Sequence, residues 1–198
     1  MRVTLALLAL AFSLASADIV YPYYFESLPP GWTTNGPEWT FGPQGAFIHI
    51  GISSGGQPAS YRVDMESDSA PIVLPTGTDS VLVSLTCDYN MEGSYSTGEA
   101  TATIYTTVYL DGESKSLFSV SRHWGFLNGD GIDNPGTYSI TFPASAGQEI
   151  TFFFRASVSA YGSGSRATID WSIPLLQVTA YCPSALQSRT WARIKSFF

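Results

Sequence analysis

The chain has 198 residues and a formal net charge of −7, with 9 Lys and Arg against 16 Asp and Glu. An acidic chain repels phosphate backbones, so the charge argues against nucleic acid as a partner. Aromatic residues make up 14% of the chain and Ser, Thr and Gly are abundant, a composition that is typical of strands and turns rather than helices.

Residues 1–17 have the layout of a secretory signal peptide. Arg2 precedes an unbroken apolar run, and the small residues Ala15 to Ala17 predict cleavage before Asp18. The apolar run is short for a membrane span, and no later segment approaches about 20 apolar residues. We therefore expect a secreted, periplasmic or cell-surface protein without a transmembrane segment in its mature chain, a retained N-terminal anchor being the alternative.

The rest of the chain alternates between apolar and polar residues with a period of two, which predicts β-strands. Segments such as SSGGQP, LDGES and YGSGS lie between the strands and are typical of turns. This pattern predicts an all-β fold, an antiparallel two-sheet β-sandwich of jelly-roll form over residues 18–182. The candidate strands are 19–25, 46–50, 59–65, 81–89, 100–110, 115–121, 137–142, 149–161, 166–173 and 175–181.

Residues 183–198 are predicted to be a short amphipathic C-terminal tail. Apolar residues recur at helical spacing between Trp191 and Phe198, with three cations close to them. Two interpretations stay open: a helix packed on the sandwich or a frayed end, and a recognition tail for secretion or surface attachment.

Cys87 and Cys182 are the only two cysteines. In an oxidising compartment they can form one disulfide bridge. Each also lies in an alternating apolar run, where a cysteine serves equally well as a small buried core residue. The sequence leaves both alternatives open.

Four short motifs are spread over the predicted sandwich. They are FESLPPGWTTNGPEWTFG (25–42), PIVLPTGTDSVLVSLTCDY (71–89), EITFFFRAS (149–157) and RATIDWSIPLLQVTAY (166–181). They resemble secreted bacterial jelly-roll domains of the cleaved-adhesin and MAM-like (choice-of-anchor) group, with the last motif similar to the closing strand pair of that group. The resemblance implies a domain that binds or adheres rather than catalyses.

The same resemblance implies a structural calcium ion. Similar domains often hold Ca²⁺ between a Glu of the first strand and an Asp near the last, and the matching positions here are Glu26 and Asp170. The alternative is an exposed Glu26 and an Asp170 that accepts backbone hydrogen bonds. The segment NGDGIDN (128–134) also has oxygen-bearing side chains at alternate positions, but without the closing Glu of an EF-hand a plain turn is the better interpretation.

Trp32 and Trp39 lie in the first motif, in a segment without Lys, Arg or His. The open ends of a jelly roll must be covered, and large rings do this with little conformational freedom to lose. We predict that both tryptophans close one end of the core. A platform on which sugar rings stack is the alternative.

The candidate ligand-binding residues are Arg122, His123, Trp124, Tyr105 and Tyr109. The first three place a cation, an imidazole and a ring together at the end of a strand, and the two tyrosines share the outer face of another. Such groups hydrogen-bond sugar hydroxyls and stack on the apolar face of a sugar. The alternative places Trp124 in the core and His123 at a surface turn.

No complete set of catalytic residues is evident in the sequence. His49 and His123 are far apart and HExxH does not occur, and the GxSxG match at residues 51–55 runs into the predicted turn SSGGQP rather than into a helix. Glu92 and Glu99 flank a hairpin and are candidates for a glycosidase pair only by default. We predict an exported, non-catalytic binding or adhesion module for glycans or a surface protein. The alternatives are a purely structural envelope or surface subunit and a glucanase-like sandwich enzyme.

Overall fold

The computed structural model describes residues 18–125 and 135–183, and every regular element in these ranges is a β-strand. The strands are β1 (Ile19–Tyr23), β2 (Thr33–Thr34), β3 (Trp39–Gly42), β4 (Gly45–Gly55), β5 (Ala59–Glu66), β6 (Ile72–Val73), β7 (Ser80–Ser94), β8 (Glu99–Leu110), β9 (Glu113–Trp124), β10 (Gly136–Pro143), β11 (Glu149–Tyr161) and β12 (Ser163–Tyr181). Within these ranges no helix has the length and apolarity that a membrane span requires. The predicted signal peptide, the segment 128–134 and the tail from residue 184 lie outside the described residues.

The strands form two antiparallel sheets that pack face to face. Sheet A has the order β10-β7-β12-β4-β3, and β1 also pairs with β12. Sheet B has the order β2-β5-β11-β8-β9, and β6 also pairs with β11. From β4 onwards the chain passes back and forth between the two sheets. The predicted antiparallel β-sandwich of jelly-roll form is confirmed.

Alternate side chains of both sheets fill the space between them. Every second residue of β7 from Val81 to Met91 is buried, as are Phe152 and Phe154 of β11 and Trp171 of β12. Because successive side chains of a strand point to opposite faces, this alternation fixes which residues line the core and which face solvent. Burying a side chain such as Phe152 stabilises the fold by about 1.5–3 kcal/mol.

Trp32 and Trp39 close the core as predicted. They are only 4% and 6% exposed. Trp32 stacks on Phe152 with ring centroids 6.0 Å apart, and Trp39 lies 5.9 Å from Trp171. Because both rings are covered by the core, the alternative that they form a sugar-stacking platform is wrong.

β12 is one strand of 19 residues, whereas the sequence predicted a pair of strands, 166–173 and 175–181. Pro174 lacks an amide hydrogen, and the register of β12 against β7 shifts between Ser172 and Leu175. On its other edge β12 pairs with β4 before this bulge and with β1 after it. The proline therefore marks the position where the neighbouring strand changes, and the strand itself continues.

Cys87 and Cys182 are free, buried thiols. The bridge is not formed, and the alternative of two buried core residues is the one found. Cys182 follows Tyr181, which pairs with Ser80 of β7. Seven residues separate Ser80 from Cys87 along β7, or about 23 Å at the rise of an extended strand. A disulfide requires Cα atoms within about 7 Å.

Candidate functional site

Strand alternation divides the predicted ligand-binding residues of β9 between the two sides of sheet B. Trp124 points inwards and is 2% exposed. Arg122 is on the same side, and its Nε is buried without a hydrogen-bond partner among the described residues. His123 points outwards, with Nε2 3.1 Å from Glu99 Oε2. Trp124 is therefore unavailable to a ligand, and the prediction that it stacks on a sugar is wrong; the core alternative is correct.

Tyr105 and Tyr109 lie on the outer face of sheet B, where the alternation of β8 placed them. They are four residues apart on one strand, about 13 Å. Phe153 of the adjacent strand β11 faces outwards opposite Thr107, between the two tyrosines, and its ring centroid is 5.9 Å from that of Tyr105. Tyr105, Phe153 and Tyr109 form a row of half-buried rings, here called the aromatic strip.

An ion pair fixes the middle of this face. Arg155 Nε and Nη2 donate to the two carboxylate oxygens of Asp64 at 2.6 and 3.0 Å. The Asn35 side chain donates to the same carboxylate at 3.2 Å. The guanidinium carbon lies 4.7 Å from the Phe153 ring centroid and 5.6 Å from that of Tyr105.

These contacts fix the position of the guanidinium, which is charged at any physiological pH. The hydrogen bond to Asp64 raises the pKa of Arg155. Two of the five guanidinium N–H donors are used in the bidentate pair, so the others stay in fixed directions. A ligand that meets this group does not have to order it first.

Two shallow depressions flank the ion pair on the outer face of sheet B. One has a volume of about 450 Å³ and the other about 640 Å³. Hydroxyl side chains dominate the first, which is lined by Ser60, Arg62, Thr101, Thr103, Ser157 and Ser159. The second combines rings with carboxylates and is lined by Tyr109, Phe153, Glu66, Asp68, Asp111 and Glu149. The depressions, the aromatic strip and the Arg155–Asp64 pair are together called the sheet B groove.

The end of the groove beside Tyr109 is negatively charged. The Asp111 carboxylate accepts hydrogen bonds from the Glu149 backbone N–H at 2.8 Å and from Gln148 Nε2 at 2.9 Å. These bonds lower the pKa of Asp111. A glycosidase acid requires a pKa shifted in the other direction, so Asp111 is suited to accepting hydrogen bonds rather than to donating a proton.

Glu92 and Glu99 are not brought together. Glu92 lies on β7 in sheet A, where its Oε1 accepts a hydrogen bond of 3.1 Å from Asn90. Glu99 lies on β8 in sheet B, against His123. Two carboxylates on different sheets cannot flank one glycosidic bond. The default choice of these two residues as a glucanase-like pair is wrong.

Glu26 and Asp170 have different surroundings. Asp170 lies on the outer face of sheet A, with Oδ1 2.7 Å from His49 Nδ1. Glu26 is exposed and follows Phe25, whose ring is buried between the sheets. Among the described residues no three or more metal-binding side chains cluster. Calcium binding, at Glu26 and Asp170 or elsewhere in the protein, stays a prediction.

The sequence did not single out Phe153, Arg155 and Asp64 as groove residues. A signal was present, because in EITFFFRAS the alternation places Phe152 and Phe154 on one face and therefore Phe153 and Arg155 on the other. The sequence therefore places an aromatic ring and a cation at consecutive outward positions of this strand. The pairing partner Asp64 lies 91 residues away in sequence and depends on the register of β5 against β11.

Comparisons with known proteins give no family. No protein-family model and no curated protein sequence matches the chain. Among solved structures, the C-terminal CBM6 of LamC from Zobellia galactanivorans is 17% identical with a TM-score of 0.36, over 81% of this chain and 99% of that chain. The K1 cleaved adhesin domain of Lys-gingipain from Porphyromonas gingivalis W83 is 14% identical with a TM-score of 0.34, over 82% and 98%.

A third similar structure is that of infectious bursal disease virus Gt strain. It is 13% identical with a TM-score of 0.37, over 84% of this chain and 34% of that chain. The assignment of the fold rests on the strand pairing of the chain itself.

Proposed function

We propose that the protein is a non-catalytic carbohydrate-binding module whose sheet B groove holds an extended, uncharged glycan chain. The observation that supports this most directly is the aromatic strip, three outward rings from two adjacent strands on a face whose other lining residues are mainly polar. The depression lined by hydroxyl groups continues the same surface.

The chemistry of the groove matches that of a sugar. A pyranose has an apolar C–H face and a rim of hydroxyl groups, and aromatic side chains pack on such faces. Ser and Thr hydroxyls both donate and accept hydrogen bonds, carboxylates accept them, and Arg155 donates them. Since Asp64 already holds Arg155, a ligand loses less affinity to side-chain ordering.

Charge supports an uncharged ligand. Four carboxylates line the depression beside Tyr109. The positive charge of Arg155 is paired with Asp64, and Arg62 lies 3.4 Å from the same carboxylate. These two guanidinium groups share one carboxylate, but the four carboxylates beside Tyr109 outnumber the one positive charge that is left over, so the net negative charge of the groove repels uronate and sulfate groups.

Affinity measurements on neutral and anionic polysaccharides test the proposal. Laminarin and xylan are the neutral probes and alginate is the anionic one. We expect wild-type protein to bind at least one neutral polymer and to bind alginate weakest. Tyr105→Ala and Tyr109→Ala are each expected to weaken binding about tenfold, which corresponds to about 1.4 kcal/mol.

Tyr24→Ala is the matched control, because Tyr24 is 58% exposed and lies outside the groove. Its affinity is expected to equal that of wild type. Absence of binding to every neutral polymer, or equal losses in the control and the groove variants, contradicts the proposal. Release of reducing ends from the polymers contradicts its non-catalytic part and supports the enzyme alternative.

A further inference from the structure

A second polar and aromatic depression lies on the opposite side of the sandwich, on the outer face of sheet A. Three adjacent strands meet there in register. Phe47 of β4 is paired with Ser172 of β12, which is paired with Asp88 of β7. Two residues further along each strand, a second row on the same face consists of His49, Asp170 and Asn90. The depression has a volume of about 420 Å³, and Pro135 forms part of its wall.

Two of its polar groups are already oriented by neighbours. Asp170 Oδ1 lies 2.7 Å from His49 Nδ1, and Asn90 Nδ2 donates to Glu92 Oε1 at 3.1 Å. Oδ2 of Asp170 makes no hydrogen bond within the described part of the chain. A carboxylate paired in this way has less conformational freedom to lose when it accepts hydrogen bonds from a diol.

Phe47 supplies the apolar part of the depression. It is 41% exposed, on a face where its pairing partner Ser172 and the adjacent outward residue His49 are polar. Its neighbours Ala46 and Ile48 are fully buried, so the strand alternation holds the ring on the outside. A ring beside oriented hydrogen-bond acceptors is the combination that the groove of sheet B also uses.

We infer that this depression, the sheet A site, binds a second segment of uncharged glycan, one or a few sugar units long. The inference rests on the proposed function, because it assigns the same class of ligand to a separate surface. The depression is bounded by Phe47 on one side and Pro135 on the other, which suits a short segment of a chain.

The two sites cannot be occupied by the same stretch of glycan. They lie on the outer faces of two sheets that pack about 10 Å apart, so the whole thickness of the sandwich separates them. A protein with both sites binds two chains or two distant segments of a network. Such bivalent binding increases avidity and cross-links a soluble polymer.

Binding stoichiometry and polymer precipitation test the inference. The probes are laminarihexaose and xylohexaose for titration calorimetry, and laminarin and xylan for turbidity. The sheet A variant combines Phe47→Ala with Asp170→Asn, and the groove variant combines Tyr105→Ala with Tyr109→Ala. Gln177→Ala is the control, since Gln177 faces the same side of β12 outside the depression.

We expect two hexasaccharides per wild-type protein and one per molecule of either variant. Wild type and the control are expected to make the polymer solution turbid, and the sheet A variant to require at least tenfold more polymer for the same turbidity. Thermal melting of each variant establishes that it is folded, and the single substitution Phe47→Ala replaces the double variant if the latter unfolds.

Three results overturn the inference and are distinguishable from one another. If wild type binds one hexasaccharide and the groove variant binds none, there is no sheet A site, and the proposed function is left intact. If wild type binds one hexasaccharide and only the sheet A variant binds none, the protein is not bivalent and the groove does not bind glycan. Absence of binding by wild type to every probe removes the proposed function together with the inference.

Discussion

The two outer faces of the sandwich differ in how their charged groups are held. On sheet B, Asp64 is 8% exposed and binds Arg155 through two hydrogen bonds, and the guanidinium packs over the rings of Phe153 and Tyr105. On sheet A, His49 and Asp170 form a pair whose side chains are 62% and 41% exposed. The first pair is part of a packed surface, whereas the second stands in water.

The difference between the two ion pairs concerns the outer sides of the sheets, because the inner sides are alike. On the inner sides of both sheets alternate side chains are buried, and these side chains are mainly apolar in either sheet. The outer sides need not be apolar, so polar, charged and aromatic residues can differ there from one sheet to the other. Four predictions, from the largest expected effect to the smallest, break or sharpen the comparison.

Trp124→Ala tests whether the core supports both faces. Trp124 packs against Gly93, where an added Cβ would lie 2.2 Å from the ring, so the indole fills a fitted space between the sheets. We expect the free energy of unfolding to fall by about 3–5 kcal/mol, measured by urea denaturation. The control His123→Ala, at the adjacent outward position, is expected to change it by less than about 0.5 kcal/mol. Similar losses in the two variants contradict the division of β9 into an inner and an outer side.

Arg155→Met tests the buried pair of sheet B against the exposed pair of sheet A. Loss of the guanidinium leaves Asp64 almost buried without its main partner, at an expected cost of about 2–3 kcal/mol of stability. The matching change on the other face, His49→Gln, is expected to cost less than about 1 kcal/mol because both side chains are solvated. Denaturation curves of the two variants check this, and equal losses remove the distinction between the faces.

Asp111→Asn tests how the stability of the protein depends on pH through the hairpin at the acidic end of the groove. The folded protein lowers the pKa of Asp111 from its ordinary value of 3.8, mainly through the hydrogen bond from the Glu149 backbone and secondly through Gln148. A lowered pKa contributes stability that is present above pH 3.8 and is lost as the pH falls through the folded value. We expect wild type to melt above the variant at pH 5 to 8.

That difference in melting temperature is expected to close as the pH falls below about 4. Glu113→Gln, which removes one charge from the same hairpin, is the control. A difference that stays constant down to pH 2 contradicts the hydrogen-bonded carboxylate as its source.

Reductant is expected to have no effect on stability, the smallest of the four results. Burial raises the pKa of the Cys87 thiol to about 11, so at pH 8 only about one molecule in a thousand carries the reactive thiolate. We expect Cys87 to resist a thiol reagent in the folded protein, and two free thiols to be counted after denaturation without reductant. A count of zero, or a lower melting temperature with dithiothreitol, contradicts the free thiols.

The sequence was sufficient for most of the fold because a period of two is a local signal. It located β11 at residues 149–161, where the structure has Glu149–Tyr161. It failed at Pro174, because a proline signals a break in a strand, and only the neighbouring strands decide whether the break ends the strand or forms a bulge.

The candidate site was harder to predict because it depends on register between distant strands. Tyr105 was placed on an outer face by alternation alone, and this placement is confirmed. Trp124 was grouped with His123 because they are adjacent in sequence, yet adjacent residues of a strand point to opposite sides. Nothing local indicated that Asp64 meets Arg155.

The position of β12 has a consequence for how the protein acquires its shape. β12 is the only element that joins the β7 and β4 parts of sheet A among the described strands, and it is the last of them in the sequence. Without residues 163–181, β7 and β4 each lack the strand that pairs with their facing edges in sheet A. Sheet A can therefore be completed only after residues 163–181 have been synthesised, and its formation is expected to be slow, as for other topologies of high contact order.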